Sequence, residues 1–246
     1  MASVLVIRSG EGETITDRPE RTIRVLVEHE ALTLSLFRYE PGQKGPDPHV
    51  HRRHTDAFYV LDGELELGLG PEVERIVGTP GTLAAAPPNV VHTFRNASDR
   101  MTLFLNVHTP SMGFAAMLRA AHEGGDEDAA HFDEYDPPED GGRQLADAVL
   151  RGPGEGRRTG LDGMTTLAKS EGADADGQLS LVEVELEPGA TYADPAAGQV
   201  DVLFMLDGTV SLGVDCEARP GDVVVGPGSV RNDGSSDARL LHLGSA

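Results

Sequence analysis

The chain has 246 residues, with 41 acidic side chains against 20 Lys and Arg and a formal net charge of −21. That balance excludes the basic footprint that nucleic acid or an anionic membrane surface requires, and its main effect is solubility. A chain of this length fits one large domain or two ordinary ones, and the 30 glycines and 16 prolines that punctuate short apolar runs suit a β-sandwich or barrel.

Val4-Leu5-Val6-Ile7 is apolar but too short for a signal segment and lacks a basic start. No run approaches the roughly 20 apolar residues of a membrane span. Cys216 is the single cysteine, so no internal disulfide is expected, and the cytoplasm is the expected compartment.

A Pro41-Gly42 turn leads to His49-Val50-His51, whose imidazoles share a face because strand side chains repeat every two residues. Asp56 opens a strand-like run that ends at the Asp62-Gly63 turn signal. Gly81 and Pro87-Pro88-Asn89 then introduce a third run at His92. Any one histidine is more often a satisfied surface or core residue than a ligand, and His54 reads as loop polarity after Arg52 and Arg53. Together, however, His49, His51, Asp56 and His92 form a nitrogen and oxygen set that suits Fe, Mn, Ni, Zn or Cu. Period two puts Phe58 and Val60 on the face of Asp56, and Phe94 and Asn96 on that of His92. This predicts an apolar substrate pocket with a polar floor, although the same residues would also serve as barrel core.

Pro41-Gly42, His49-Val50-His51, Asp56 and Gly63 resemble the first motif of the cupin superfamily. Gly81, Pro87, Asn89, His92 and Asn96 resemble its second. The sequence departs from the pattern twice. Asp56 replaces the usual glutamate and is shorter by one methylene, roughly 1.5 Å of reach, which predicts contact with the metal through water. Asn89 replaces a glycine, a mild change because asparagine tolerates the left-handed backbone. The resemblance implies an all-β fold of double-stranded β-helix, or jelly-roll, barrels.

Phe114, Met117, Leu118 and Ala121 form an apolar stripe at helical spacing, so a helix is expected to cap or brace the first barrel. From Glu123 to Asp140 the chain carries nine acids and no Lys or Arg, which reads as a solvated linker even with His122 and His131 close by. The first pattern then recurs. Glu187-Pro188-Gly189, the run Asp201 to Gly208 and Pro220-Gly221 to Pro227 mirror it, with Asp194, Ala196, Asp201 and Asn232 at the ligand positions and no histidine. The chain therefore resembles a bicupin, with a metal-binding domain at 1–112, a helical and acidic linker at 113–150 and a degenerate domain at 151–246. One divalent transition metal per chain is expected, in the first half.

Three classes of function fit. The favoured one is an oxygen-using metalloenzyme similar to quercetin-dioxygenase-like cupins, with an aromatic or enol-bearing small-molecule substrate. The second is a non-redox isomerase, epimerase or polyketide cyclase with the metal as Lewis acid. The third is a non-catalytic binding module. No nucleic acid or membrane partner is expected, and monomer and homodimer both fit.

Overall fold

Period-two alternation, interrupted by turns built on glycine and proline, sets much of the chain up as strands with one face turned inward. The computed structural model describes residues 4–124, 132–193, 199–213, 216–226 and 228–245. The chain opens with β1 (Leu5–Ile7), β2 (Glu13–Arg18), β3 (Arg21–His29) and β4 (Leu32–Tyr39). It continues through β5 (Thr55–Asp62), β6 (Leu65–Leu69), β7 (Glu74–Gly78), β8 (Leu83–Ala86), β9 (His92–Arg95) and β10 (Thr102–Thr109) to helix α1 (Phe114–Glu123). The later half begins with β11 (Val149–Arg151), β12 (Arg157–Leu161), β13 (Met164–Ser170), β14 (Leu179–Leu186) and β15 (Thr191–Ala193). It ends with β16 (Asp201–Asp207), β17 (Val210–Ser211), β18 (Glu217–Ala218), β19 (Val223–Val225), β20 (Ser229–Arg231) and β21 (Ala238–Ser245).

Two compact units result. The first comprises Glu13–Gly154 and Ala173–Gln178. It holds a seven-stranded sheet, ordered β11-β8-β5-β10-β4-β3-β2, and a three-stranded sheet, β7-β6-β9. Leu65, Leu67 and Leu69 of β6 join Phe37, Phe58 and Phe104 in one apolar core. The second unit comprises Met1–Gly12, Glu155–Gly172 and Leu179–Ala246. Its sheets are β1-β19-β16-β21-β14-β13-β12 and β15-β20-β17-β18. Leu186, Tyr192, Leu203, Met205, Val224 and Leu240 belong to its apolar core.

The two large sheets have the same order, and their edge strands are exchanged in sequence. β1 precedes the first barrel but pairs with β19, Leu5 opposite Val225. β11 precedes the second barrel but pairs with β8, Val149 opposite Ala85. The sequence-order division at 112 and 150 therefore differs from the compact units, because hydrogen bonding carries residues 1–12 one way and β11 the other. Residues 173–178 also join the first unit, where Thr55 Oγ1 donates to Gln178 Oε1 at 2.8 Å.

Helix α1 carries the expected stripe. Phe114 is buried, and Phe114, Met117, Leu118 and Ala121 line a cavity inside the first unit. Among the described residues, no helix is long and apolar enough to cross a membrane.

Candidate metal centre

The His-x-His segment is fixed from both sides. His49 exchanges backbone hydrogen bonds with His92 (3.1 and 3.0 Å), and Val50 does so with Tyr135 (2.9 and 3.0 Å). Asn89, the stand-in for glycine, sits at φ 65° and lets the chain fold back toward His92. The Asn89 N–H donates to the His51 carbonyl at 2.6 Å.

These constraints bring one donor atom from each of His49, His51, Asp56 and His92 within 4.8 Å of one another, all four residues buried. Each histidine ring is anchored by its Nδ1. His49 donates to the Asp47 carbonyl (2.9 Å), His51 to that of Asp133 (2.6 Å) and His92 to that of Val90 (3.0 Å). Anchoring Nδ1–H leaves each Nε2 as a lone-pair donor. The Nε2 atoms of His51 and His92 are buried with no hydrogen-bond partner, a costly state unless another group meets them. Asp56 Oδ2 lies 3.3 Å from His92 Nε2 and 4.0 Å from His51 Nε2. The donor set and its orphaned nitrogens fit a transition ion. Burial, reinforced by the neighbouring His92, pushes the His49 imidazole down to about 3 and drives His51 further below its ordinary range. Both are thereby held neutral, the state that coordinates.

Asp56 is held by a neighbour on β10. Asn106 Nδ2 donates to its Oδ1 at 2.5 Å, which leaves Oδ2 on the side of the histidines, 3.3 Å from His92 Nε2.

His54 is fully buried, which corrects its reading as loop polarity. Its Nδ1 donates to Asp133 Oδ2 at 3.0 Å, its Nε2 hydrogen-bonds His108 Nδ1 at 2.9 Å, and His108 Nε2 meets Asn106 Oδ1 at 3.1 Å. A continuous polar run thus joins Asp133 to Asp56. Burial lowers both His54 and His108. The acidic stretch is likewise no uniform solvated linker. Asp133 is fully buried and accepts from the Arg52 and Arg53 amides (3.1 and 2.8 Å) and from Arg53 Nε (3.1 Å). Burial alone would raise its carboxyl, but these donors and His54 outweigh it and hold it below the usual range. Glu134 reaches within 3.9 Å of His49 Nε2, and burial raises its carboxyl.

Of the expected pocket residues, Phe94 lines the cavity, whereas Phe58 and Val60 belong to the core beneath it. Asn96 does not face the pocket. Its Nδ2 donates to the Tyr39 and Arg100 carbonyls (3.0 and 2.7 Å), closing the turn after β9. Asn232 makes the same pattern with Leu186 and Ser236 (2.8 and 2.9 Å), so it corresponds to Asn96 rather than to His92. Asp194, Ala196 and His131 lie outside the described residues. Asp201 sits 3.5 Å from His242 Nε2, and His242 Nδ1 hydrogen-bonds Tyr192 Oη at 2.8 Å. His122 approaches Thr16, Nδ1 to Oγ1 3.4 Å, away from any metal-like group of described residues.

His108, Asp133 and Glu134 were not among the residues expected at the site. His108 follows Asn106 at period two on β10, a signal open to sequence reading. Asp133 gives none, since long-range pairing, such as the bridge between Val50 and Tyr135, brings its segment alongside His51.

Residues 35–108 match the family model described as the cupin domain. Germin-like protein subfamily 2 member 2 of Arabidopsis thaliana is 34% identical over 96 residues, covering 37% of this chain and 42% of that protein. Member 1 of the same subfamily is 32% identical over 71 residues, covering 28% and 32%. The matched stretch thus spans less than half the length of these relatives. A glyoxylate-induced protein of Pseudomonas aeruginosa superposes with a TM-score of 0.71 at 17% identity, over 100% of this chain and 90% of the other. Oxalate decarboxylase of Lactobacillus farciminis gives 0.64 at 13% identity, over 99% and 86%. At these identities the structures show a common fold.

Proposed function

Because the chain belongs to the cupin superfamily, with the bicupin architecture, we propose that its first barrel is a metal-dependent enzyme centre of the quercetin-dioxygenase-like kind, acting on an aromatic or enol-bearing small molecule. The proposed ligands are His49, His51, Asp56 and His92. The observation that carries this reading is the pair of buried, unpartnered Nε2 atoms on His51 and His92, aimed with Asp56 Oδ2 at one point.

A divalent transition ion at this set would polarise an enol or carbonyl oxygen and, if redox-active, support dioxygen chemistry. The protein supplies the rest. Backbone carbonyls lock the three rings, Asn106 orients Asp56, and Asp133 ties the 51–54 turn to the site. Phe94, Phe114 and Phe132 line the cavity and give it an apolar wall. Glu134, with its raised carboxyl, stands beside His49 as a group able to take a proton from a bound enol.

The polar run His54–His108–Asn106, ending on Asp56, favours a second reading, in which protons move without redox chemistry and the metal is a Lewis acid. Metal analysis of the purified protein, combined with aerobic and anaerobic assays on aromatic and polyketide substrates, separates the two. Redox-active Fe, Ni, Cu or Mn with oxygen-dependent turnover supports the first. Tightly held Zn with oxygen-independent turnover replaces it with the second.

A further inference from the structure

The cavity that opens onto the candidate ligands has a volume of about 370 Å³, within the range of small-molecule sites. Its lining is split by chemistry. His49, His51, Asp56 and Glu134 contribute to one part, and aromatic rings of Phe37, Phe94, Phe114 and Phe132 form the wall. Arg18, Arg21 and Lys44 also line it.

These three cations stand out in a chain of net charge −21. Many other arginines of the same unit are met by acids: Arg53 by Asp133, Arg75 and Arg95 by Glu66, Arg119 by Glu13 and Glu28, and Arg143 by Asp176, whereas Arg52 stacks on Tyr135. Among the described residues, no carboxylate makes an ion pair with Arg18, Arg21 or Lys44. Arg21 instead meets the hydroxyl of Tyr39, a phenol that burial pushes up to about 12 and so keeps neutral. Its positive charge is therefore left uncompensated beside an apolar wall, where an anion gains most from it.

Strand register gives the spacing. On β4, Ser35 stands level with Asn106, the residue that holds Asp56, while Tyr39 stands level with Arg21. Four residues of strand separate the two levels, roughly 13 Å.

We propose that this cavity binds an elongated organic anion, with an aromatic or otherwise apolar body against the phenylalanine wall and a carboxylate at Arg18, Arg21 and Lys44. This deepens the proposed function and rests on it only for what happens at the ligand's other end. A compact dicarboxylate of oxalate's size would leave the wall unfilled and would not span the two levels.

The test is calorimetric titration of the full-length protein, stripped of metal by a chelator, with biphenyl-4-carboxylate, its neutral counterpart biphenyl-4-methanol, and oxalate. The acid is expected to bind at least about ten-fold more tightly than the alcohol or oxalate. Arg18→Gln combined with Arg21→Gln should remove that preference by weakening the acid alone, Arg21→Lys should keep most of it, and high salt should erode it. Equal binding of acid and alcohol by the unaltered protein, no binding of either, or preferred binding of oxalate would each overturn the proposal without recourse to variants. An unchanged acid affinity in the folded double variant would also overturn it. Metal content of the untreated protein is measured separately, so failure of the metal reading is distinguishable from failure of the anion site.

Discussion

Each candidate ligand is held by a bond that uses the half of the side chain facing away from the cluster. Removing a ligand should therefore remove metal without disturbing its neighbours' anchors. His49→Ala and His92→Ala are each expected to purify without metal, and Asp56→Ala to lose most of it, since Oδ2 already points at the histidines. Elemental analysis checks all three, and metal retained in the double histidine variant sinks the assignment. The same burial makes a pH prediction. His49 is held near 3 in the fold against about 6.5 unfolded. Between those values the unfolded chain binds a proton that the folded chain refuses, so stability contributed by the neutral ring is full above about 6.5 and declines as pH falls toward 3. Denaturant midpoints of metal-free protein should drop across that window, and a flat profile would contradict the burial of this ring. Asp133 is a third case. Asp133→Ala strands two amides, a guanidinium and His54 at once, with an expected cost of about 3 kcal/mol in equilibrium unfolding.

Among the elements, the two strand-to-strand turns after β5 and β16 are built alike. Gly63 has φ 74°, and a Cβ there would lie 2.3 Å from the Met101 carbonyl oxygen; Gly208 has φ 71° and would meet Ala238 at 2.8 Å. Gly63→Ala should therefore cost more than about 1 kcal/mol, from backbone strain and collision together, and a neutral result in denaturant unfolding would refute the tightness of that turn. Turns of this kind were legible in the sequence, as were β5, β9, the stripe of α1 and the His49, His51, Asp56 and His92 set, because period and turn chemistry are local. What was not legible depends on distant pairing. Asp133 looks solvated in an acidic run, yet the hydrogen bonds between Val50 and Tyr135 carry it inside. Asn96 shares the alternation of His92, but its amide is spent on two backbone carbonyls. Asn232 closes its turn in the same way, and motif order alone does not reveal which residue does so. Arg18 and Arg21 flank a hairpin between β2 and β3, and only the register with Tyr39 brings them to the cavity.

At the scale of the molecule, each half lends its leading strand to the other's large sheet. Deleting residues 4–12 should leave the first unit's ligands untouched, so metal content is expected to stay near the full-length value. It would bare the β19 edge, Val223 to Val225, and promote self-association visible in light scattering. Loss of metal on this deletion would show that the first unit depends on a strand it does not contain. The exchange also sets a timetable for a chain made from its amino end. The first barrel has its edge strand as soon as Arg151 emerges, whereas Leu5 must wait for Val225. At the usual pace of synthesis that wait is on the order of ten seconds or more. For all of it β1 is an unpaired strand with no proper neighbour, and its length of three residues keeps the opportunity for wrong pairing small.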